Sequence, residues 1–215
     1  MTVKIARLAV PALLSLALVS CGGGEGELTT AGVTAVRSAC PAVAIPAGTG
    51  DITIFDPPAS RDASAIDVVA AVTNLRSTCT EGGENLLSSA TFEVQAQRRD
   101  ASADREVTIP YFATVVQGGT NVVSKHVGRV TLRFAAGQLR ASAPGSATAQ
   151  VLRSAATLPE DIRKEITRER KPGDANAALD PLADPKVRTA VNRASFELLV
   201  GFQLTPEQLA YNATR

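Results

Sequence analysis

Thr91-Phe92-Glu93-Val94-Gln95-Ala96-Gln97 sets Phe92, Val94 and Ala96 on one side of an extended chain and Thr91, Glu93, Gln95 and Gln97 on the other. Apolar and polar residues segregated with a period of two mark a strand that buries one face and wets the other. Upstream, Ile66 to Thr80 reads as a second strand carrying Val68, Val72 and Leu75, although Ala70-Ala71 leaves some helical ambiguity. Glu81-Gly82-Gly83-Glu84-Asn85 is the turn between the two. Earlier still, Val43 and Ile45, then Ile52 and Ile54, alternate around Pro46 and Gly48 before Pro57-Pro58 stops the run, which predicts a first edge strand split in two.

Downstream, Arg98 to Arg105 reads as a charged loop tip. The stretch Val107 to Gln117 is extended, and because proline cannot donate to a ladder, Pro110 is expected at an edge or a bulge. Gly118-Gly119-Thr120-Asn121 turns the chain towards Val122-Val123 and then a run from His126 to Phe134, in which Val130, Leu132 and Phe134 alternate with Arg129, Thr131 and Arg133. Pro144-Gly145-Ser146 reads as punctuation before a further strand over Ala147 to Ala155. Strands at this spacing without intervening helices predict an all-β fold, an antiparallel β-sandwich of immunoglobulin or fibronectin type. With aromatic residues at 4% and no Trp, its core is expected to be Val, Ile, Leu and Ala.

The pattern changes at Leu158-Pro159. Glu160 to Arg170 predicts a helix with acids at its start and bases at its end, complementing the helix dipole, and Ile162 and Ile166 form only a thin apolar face. Lys186 to Arg193 predicts a second short helix, so that about 158–193 forms a helical insertion before a last strand, Ser195 to Leu204. Thr205-Pro206-Glu207-Gln208 carries a capping residue, proline at the first helical position and a capping-box partner three residues after the cap, which predicts a short C-terminal helix.

At the other terminus, Lys4 and Arg7 precede an apolar run from Leu8 to Val19 that is interrupted by Pro11 and is shorter than the ~20 residues of a membrane span. Residues 1–20 read as a signal peptide. Leu18-Val19-Ser20-Cys21 resembles the lipobox of bacterial lipoproteins, a likeness confined to this segment. The resemblance implies cleavage before Cys21, a diacylglycerol on its thiol and acylation of the new amine. Each buried acyl methylene contributes ~0.8 kcal/mol, so two or three chains hold a protein to a membrane where one would not. Gly22 in place of an aspartate implies an outer-membrane address facing the periplasm.

Removal of residues 1–20 takes away two of the 22 Lys and Arg residues and none of the 21 Asp and Glu, leaving a nearly neutral chain with no basic stripe to point to nucleic acid. Residues 21–38, rich in Gly, Thr and Ala, read as a flexible tether, and 39–215 as the sandwich domain with its insertion. Gly22, Gly24 and Gly26 do not make a phosphate loop, since no strand precedes them and no helix follows. Cys40 and Cys79 remain as an even pair in an exported chain, which favours a disulfide between early strands, and with one histidine they fall short of a metal site.

No catalytic or cofactor constellation is expected. His126 is the sole histidine, and Ser124 shares its strand face without completing a triad. The carboxylates Glu160, Asp161, Glu165 and Glu169 sit among basic residues as a solvated, ion-paired face. Asn212-Ala213-Thr214 matches a glycosylation acceptor, a match without weight in a bacterial envelope protein. The insertion is either a binding appendage or a cap on one end of the sandwich. Cys40-Pro41 and the ending Leu199 to Asn212 are similar to a group of uncharacterised proteobacterial envelope lipoproteins, a resemblance that covers most of the mature chain and brings no activity with it. The expected function is that of a membrane-anchored, non-enzymatic accessory lipoprotein that docks an envelope protein. The alternative is a ligand-binding module for a small molecule or cell-wall glycan.

Overall fold

The computed structural model describes residues 28–29, 32–33, 38–168, 173 and 179–214. The signal segment, Cys21 and most of the tether lie outside them. The chain divides into two units, Met1–Ala35 and Val36–Arg215. In the first, β1 (Leu28–Thr29) pairs antiparallel with β2 (Gly32–Val33), so these four residues of the expected tether are paired backbone.

Among the described residues the second unit holds eight strands: β3 (Ala42–Ala44), β4 (Asp51–Phe55), β5 (Ile66–Thr80), β6 (Asn85–Arg98), β7 (Arg105–Gln117), β8 (Asn121–Phe134), β9 (Arg140–Leu152) and β10 (Phe196–Phe202). They form two four-stranded sheets in the orders β3-β10-β7-β8 and β4-β5-β6-β9, antiparallel throughout except for β3 beside β10. The architecture is therefore all-β, of sandwich type, with a few short helices. The two sheets share one core, to which β6 contributes Phe92, Val94 and Ala96 as their alternation demands. The split first strand is confirmed at an edge twice over, because β3 borders one sheet and β4 the other.

Three local expectations are corrected. Pro110 lies in β7, an inner strand, opposite Arg129 of β8. Its carbonyl accepts from Gln203 N at 2.9 Å, one residue past the end of β10. In an antiparallel ladder a residue's N–H and C=O point to the same side, so the donor that proline lacks faces the place where β10 stops. Pro144-Gly145-Ser146 does not interrupt the chain; it runs inside β9, paired with Glu93, Phe92 and Thr91. Glycine is required there by its partner, because a Cβ on Gly145 would lie 2.3 Å from the Phe92 ring. The core is also not purely aliphatic: Phe55, Phe92, Phe134, Phe196 and Phe202 are all buried, so scarcity of aromatics did not keep them out of the interior.

The strand directions define two ends. The turns 81–84 and 118–120, the insertion between β9 and β10 and the entry of the chain before β3 share one end, and the connections β4–β5, β6–β7 and β8–β9 share the other. At the entry end, Cys40 and Cys79 form a disulfide with a Cα–Cα distance of 6.2 Å, joining the chain just before β3 to β5 and hence one sheet to the other. The same end is closed by α1 (Arg153–Ala156), α2 (Glu160–Thr167) and α3 (Pro185–Ala194), whose Ala156, Ile162, Val187 and Ala194 are buried. Gln117 Nε2 donates to Arg193 O at 2.6 Å and pins α3 to the β7–β8 turn. Part of the 158–193 segment thus has an interior of its own.

At the opposite end the charged residues are not all loop. Arg98 is 3% exposed and ends β6, with Nε donating to Gln138 O at 2.9 Å, Nη2 to Ala135 O at 3.0 Å and its guanidinium 5.1 Å from the centre of the Phe134 ring. Arg105 opens β7 and grips Asp67 of β5 with two hydrogen bonds of 2.8 and 2.6 Å, tying sheet to sheet. That grip raises the pKa of Arg105 above its ordinary value.

Candidate docking edge

A sheet edge exposes unpaired N–H and C=O groups and is a ready template for another strand, so folded proteins shorten, cover or interrupt their edges. This domain has four such edges, β3, β8, β4 and β9. Strand β3 is three residues long. Strand β4 is flanked by α4 (Pro206–Thr214), whose Tyr211 ring meets Phe55 edge-on at 5.2 Å and whose Asn212 Nδ2 donates to Gly48 O at 2.9 Å and Asp51 O at 2.8 Å. The helix starts there because Thr205 and Gln208 form a reciprocal capping box, Gln208 N donating to Thr205 Oγ1 at 3.2 Å and Thr205 N to Gln208 Oε1 at 2.9 Å. Strand β9 carries Pro144, and its Ser146 carbonyl accepts from Tyr111 Oη at 2.7 Å.

Strand β8 is different. Its second half buries Val130, Leu132 and Phe134, but every residue from Asn121 to Val127 is exposed. Val122, Val123 and Val127 are 59%, 54% and 47% exposed, and the register with β7 slips between Val122 and Ser124, which makes Val123 the extra residue of a β-bulge. Opposite them, Ala113, Val115 and Val116 of β7 are buried. The outer strand of this hairpin therefore stands in water while its inner strand belongs to the core. The strand carries Lys125, His126, Arg129 and Arg133 and no acid. Arg133 is engaged with Glu106 at 2.8 Å, and Lys125 lies 5.5 Å from the Phe112 ring.

Ser124 and His126 lie opposite Val115 and Ala113, on one face as expected, and no described carboxylate pairs with His126. Among the described residues no group of three or more His, Cys, Asp or Glu is placed to hold a metal ion, and no helix is long and apolar enough to cross a membrane. The acids of α2 are exposed or half-buried and paired: Glu160 with Arg163 and Lys164, Glu165 with Arg168, and Asp161 with Lys186 of α3 at 2.9 Å. The Lys186 hydrogen bond holds the Asp161 carboxyl below the usual range, and its partner is raised in turn. Glu169 lies outside the described residues. A shallow concavity of ≈ 790 Å³ over β5 and β6 is lined by Val69, Ala71, Gln95, Gln97, Arg99 and Arg140 among others, with no aromatic side chain on which a sugar would stack. No protein-family model, curated protein or solved structure matches the chain.

The bare half of β8 was hidden in the sequence because an edge is a property of neighbours. One local signal existed: Val122-Val123 sets two β-branched residues side by side directly after a turn, without the polar alternation that a half-wet strand uses.

Proposed function

We propose that this is a lipid-anchored envelope protein, held at Cys21 in the outer membrane facing the periplasm, whose β-domain is a non-enzymatic docking module for another envelope protein. Leu18-Val19-Ser20-Cys21 and the Gly-rich residues after it support the anchor. The observation that carries docking is the edge-forming half of β8, in which every residue from Asn121 to Val127 is exposed. We read the layering as immunoglobulin- or fibronectin-like, supported by two sheets, antiparallel but for β3 beside β10, over one core. The connectivity is its own, since the β5–β6 hairpin stays within one sheet where the immunoglobulin chain crosses from its second strand to its third.

Two measurements test the reading. Wild-type protein should require detergent for release from membranes and should incorporate labelled fatty acid, whereas Cys21→Ser should be unprocessed or soluble; release of the wild type by salt alone would sink the anchor. Cross-linking in intact membranes should return one reproducible protein neighbour, and the absence of any would count against docking.

A further inference from the structure

We infer that the bare half of β8 is completed by an acidic, extended segment of a partner protein, which adds as a fifth strand to the β3-β10-β7-β8 sheet. The inference rests on the docking reading and names the chemistry of the partner. Beyond a β-bulge at Val123, Ser124 to Val130 present about 23 Å of strand edge at ~3.3 Å per residue, enough for main-chain pairing with a short peptide centred on Val127. Val127, 47% exposed, provides apolar contact on the face that it shares with Lys125 and Arg129.

The charges choose among occupants. Lys125, Val127 and Arg129 alternate along one face, and nothing acidic lies on the strand to neutralise them. A second copy of this chain is disfavoured, because an antiparallel copy centred on Lys125 sets that lysine against itself and one centred on Val127 sets Lys125 against Arg129. The lysine that guards the edge against self-pairing thereby becomes a selector for the opposite charge. The matching ligand carries two acids four residues apart on one strand face with an aliphatic residue midway, a Glu-x-Val-x-Glu spacing.

The test uses the full chain in detergent micelles and the capped peptide Thr-Glu-Thr-Val-Thr-Glu-Thr. At saturating peptide, amide exchange over residues 124–130 should slow, while exchange over α2 and α3 stays as it was. Lys125→Glu combined with Arg129→Glu, both exposed and therefore compatible with folding, should weaken binding about tenfold or more. Raising the salt should weaken binding to the wild type, and the peptide with Lys in place of both Glu should not bind. A peptide that gives no protection, equal affinity in the charge-reversed variant, or protection of β8 by self-association without peptide would each overturn the inference. Docking itself fails separately: a photo-cross-linker on α2 or α3 that captures the membrane neighbour while one at Val123 does not leaves docking standing and removes β8 from it.

Discussion

Replacing Gly145 by Ala should destabilise the domain through a single pair of residues, and the size of the loss follows from the geometry. Gly145 lies opposite Phe92, and an added Cβ would sit 2.3 Å from two atoms of the ring and 3.0 Å from a third. Carbon atoms in good contact are about 3.5–4.0 Å apart, so more than 1 Å must be recovered by movement. The ring has little freedom to move. It is buried, it meets Tyr111 edge-on at 5.2 Å, and Tyr111 is itself held by its bond to Ser146 O and packed over Gly128, where a Cβ would fall 2.5 Å from the tyrosine ring. Forcing one methyl group into such packing costs about 1–3 kcal/mol, and loss of glycine's freedom in the unfolded chain returns about 0.5–1 kcal/mol. The net loss should be about 1–2 kcal/mol, a fall in Tm of about 2–8 °C for a domain of this size. Urea denaturation under oxidising conditions, with an unchanged m-value, measures it. The decisive arm is Phe92→Leu, in which the methyl group has room: there Gly145→Ala should be neutral or stabilising. An equal penalty in both backgrounds would refute the reasoning, because the cost would then belong to the β9 backbone and not to the ring.

Removing the disulfide as Cys40→Ser with Cys79→Ser opens a loop spanning 39 residues and should cost about 4 kcal/mol on the chain-entropy model, about 8–16 °C in Tm; a loss under 1 kcal/mol would mean that the insertion alone holds the two sheets at that end. Asp67→Asn removes the charge that Arg105 grips. Arg105 is 43% exposed and can turn to water, so the loss should be about 1–2 kcal/mol rather than that of a fully buried pair, and a variant within 0.5 kcal/mol of wild type would show that the sheets need no such clamp. The Asp161–Lys186 bridge joins α2 to α3 with one pKa lowered and the other raised. Its support is therefore present between the unfolded carboxyl value near 4 and the unfolded ammonium value near 10.4, lost as pH falls through the folded value of Asp161 and lost again as pH rises through that of Lys186. In Lys186→Ala the Asp161 titration followed by NMR should move up towards the ordinary range, and an unmoved midpoint would dissolve the bridge.

The strands were legible where side chains report on their own two faces. Ile66 to Thr80 has the predicted bounds in β5, and Phe92, Val94 and Ala96 share the core as their alternation requires. The capping box at Thr205 was equally plain, since its partners are three residues apart. The misreadings share a cause. Pro144-Gly145-Ser146 has turn composition, but Phe92, 53 positions away in the chain, determines what Gly145 must be. Pro110 obeys the ladder rule at a place created by the end of β10, and Arg98 is charged at a strand end yet satisfied by carbonyls of the β8–β9 connection. In each case the deciding partner is remote. The same argument separates the two halves of the proposed function. The proposed anchor is read from the contiguous residues Leu18 to Cys21, because the chemistry that would process it reads a linear segment. The proposed docking edge depends on the strand order, which leaves β8 at the rim of its sheet. Its sequence trace is thus not a motif, because the exposure of Asn121 to Val127 depends on which strands lie beside β8 and which do not.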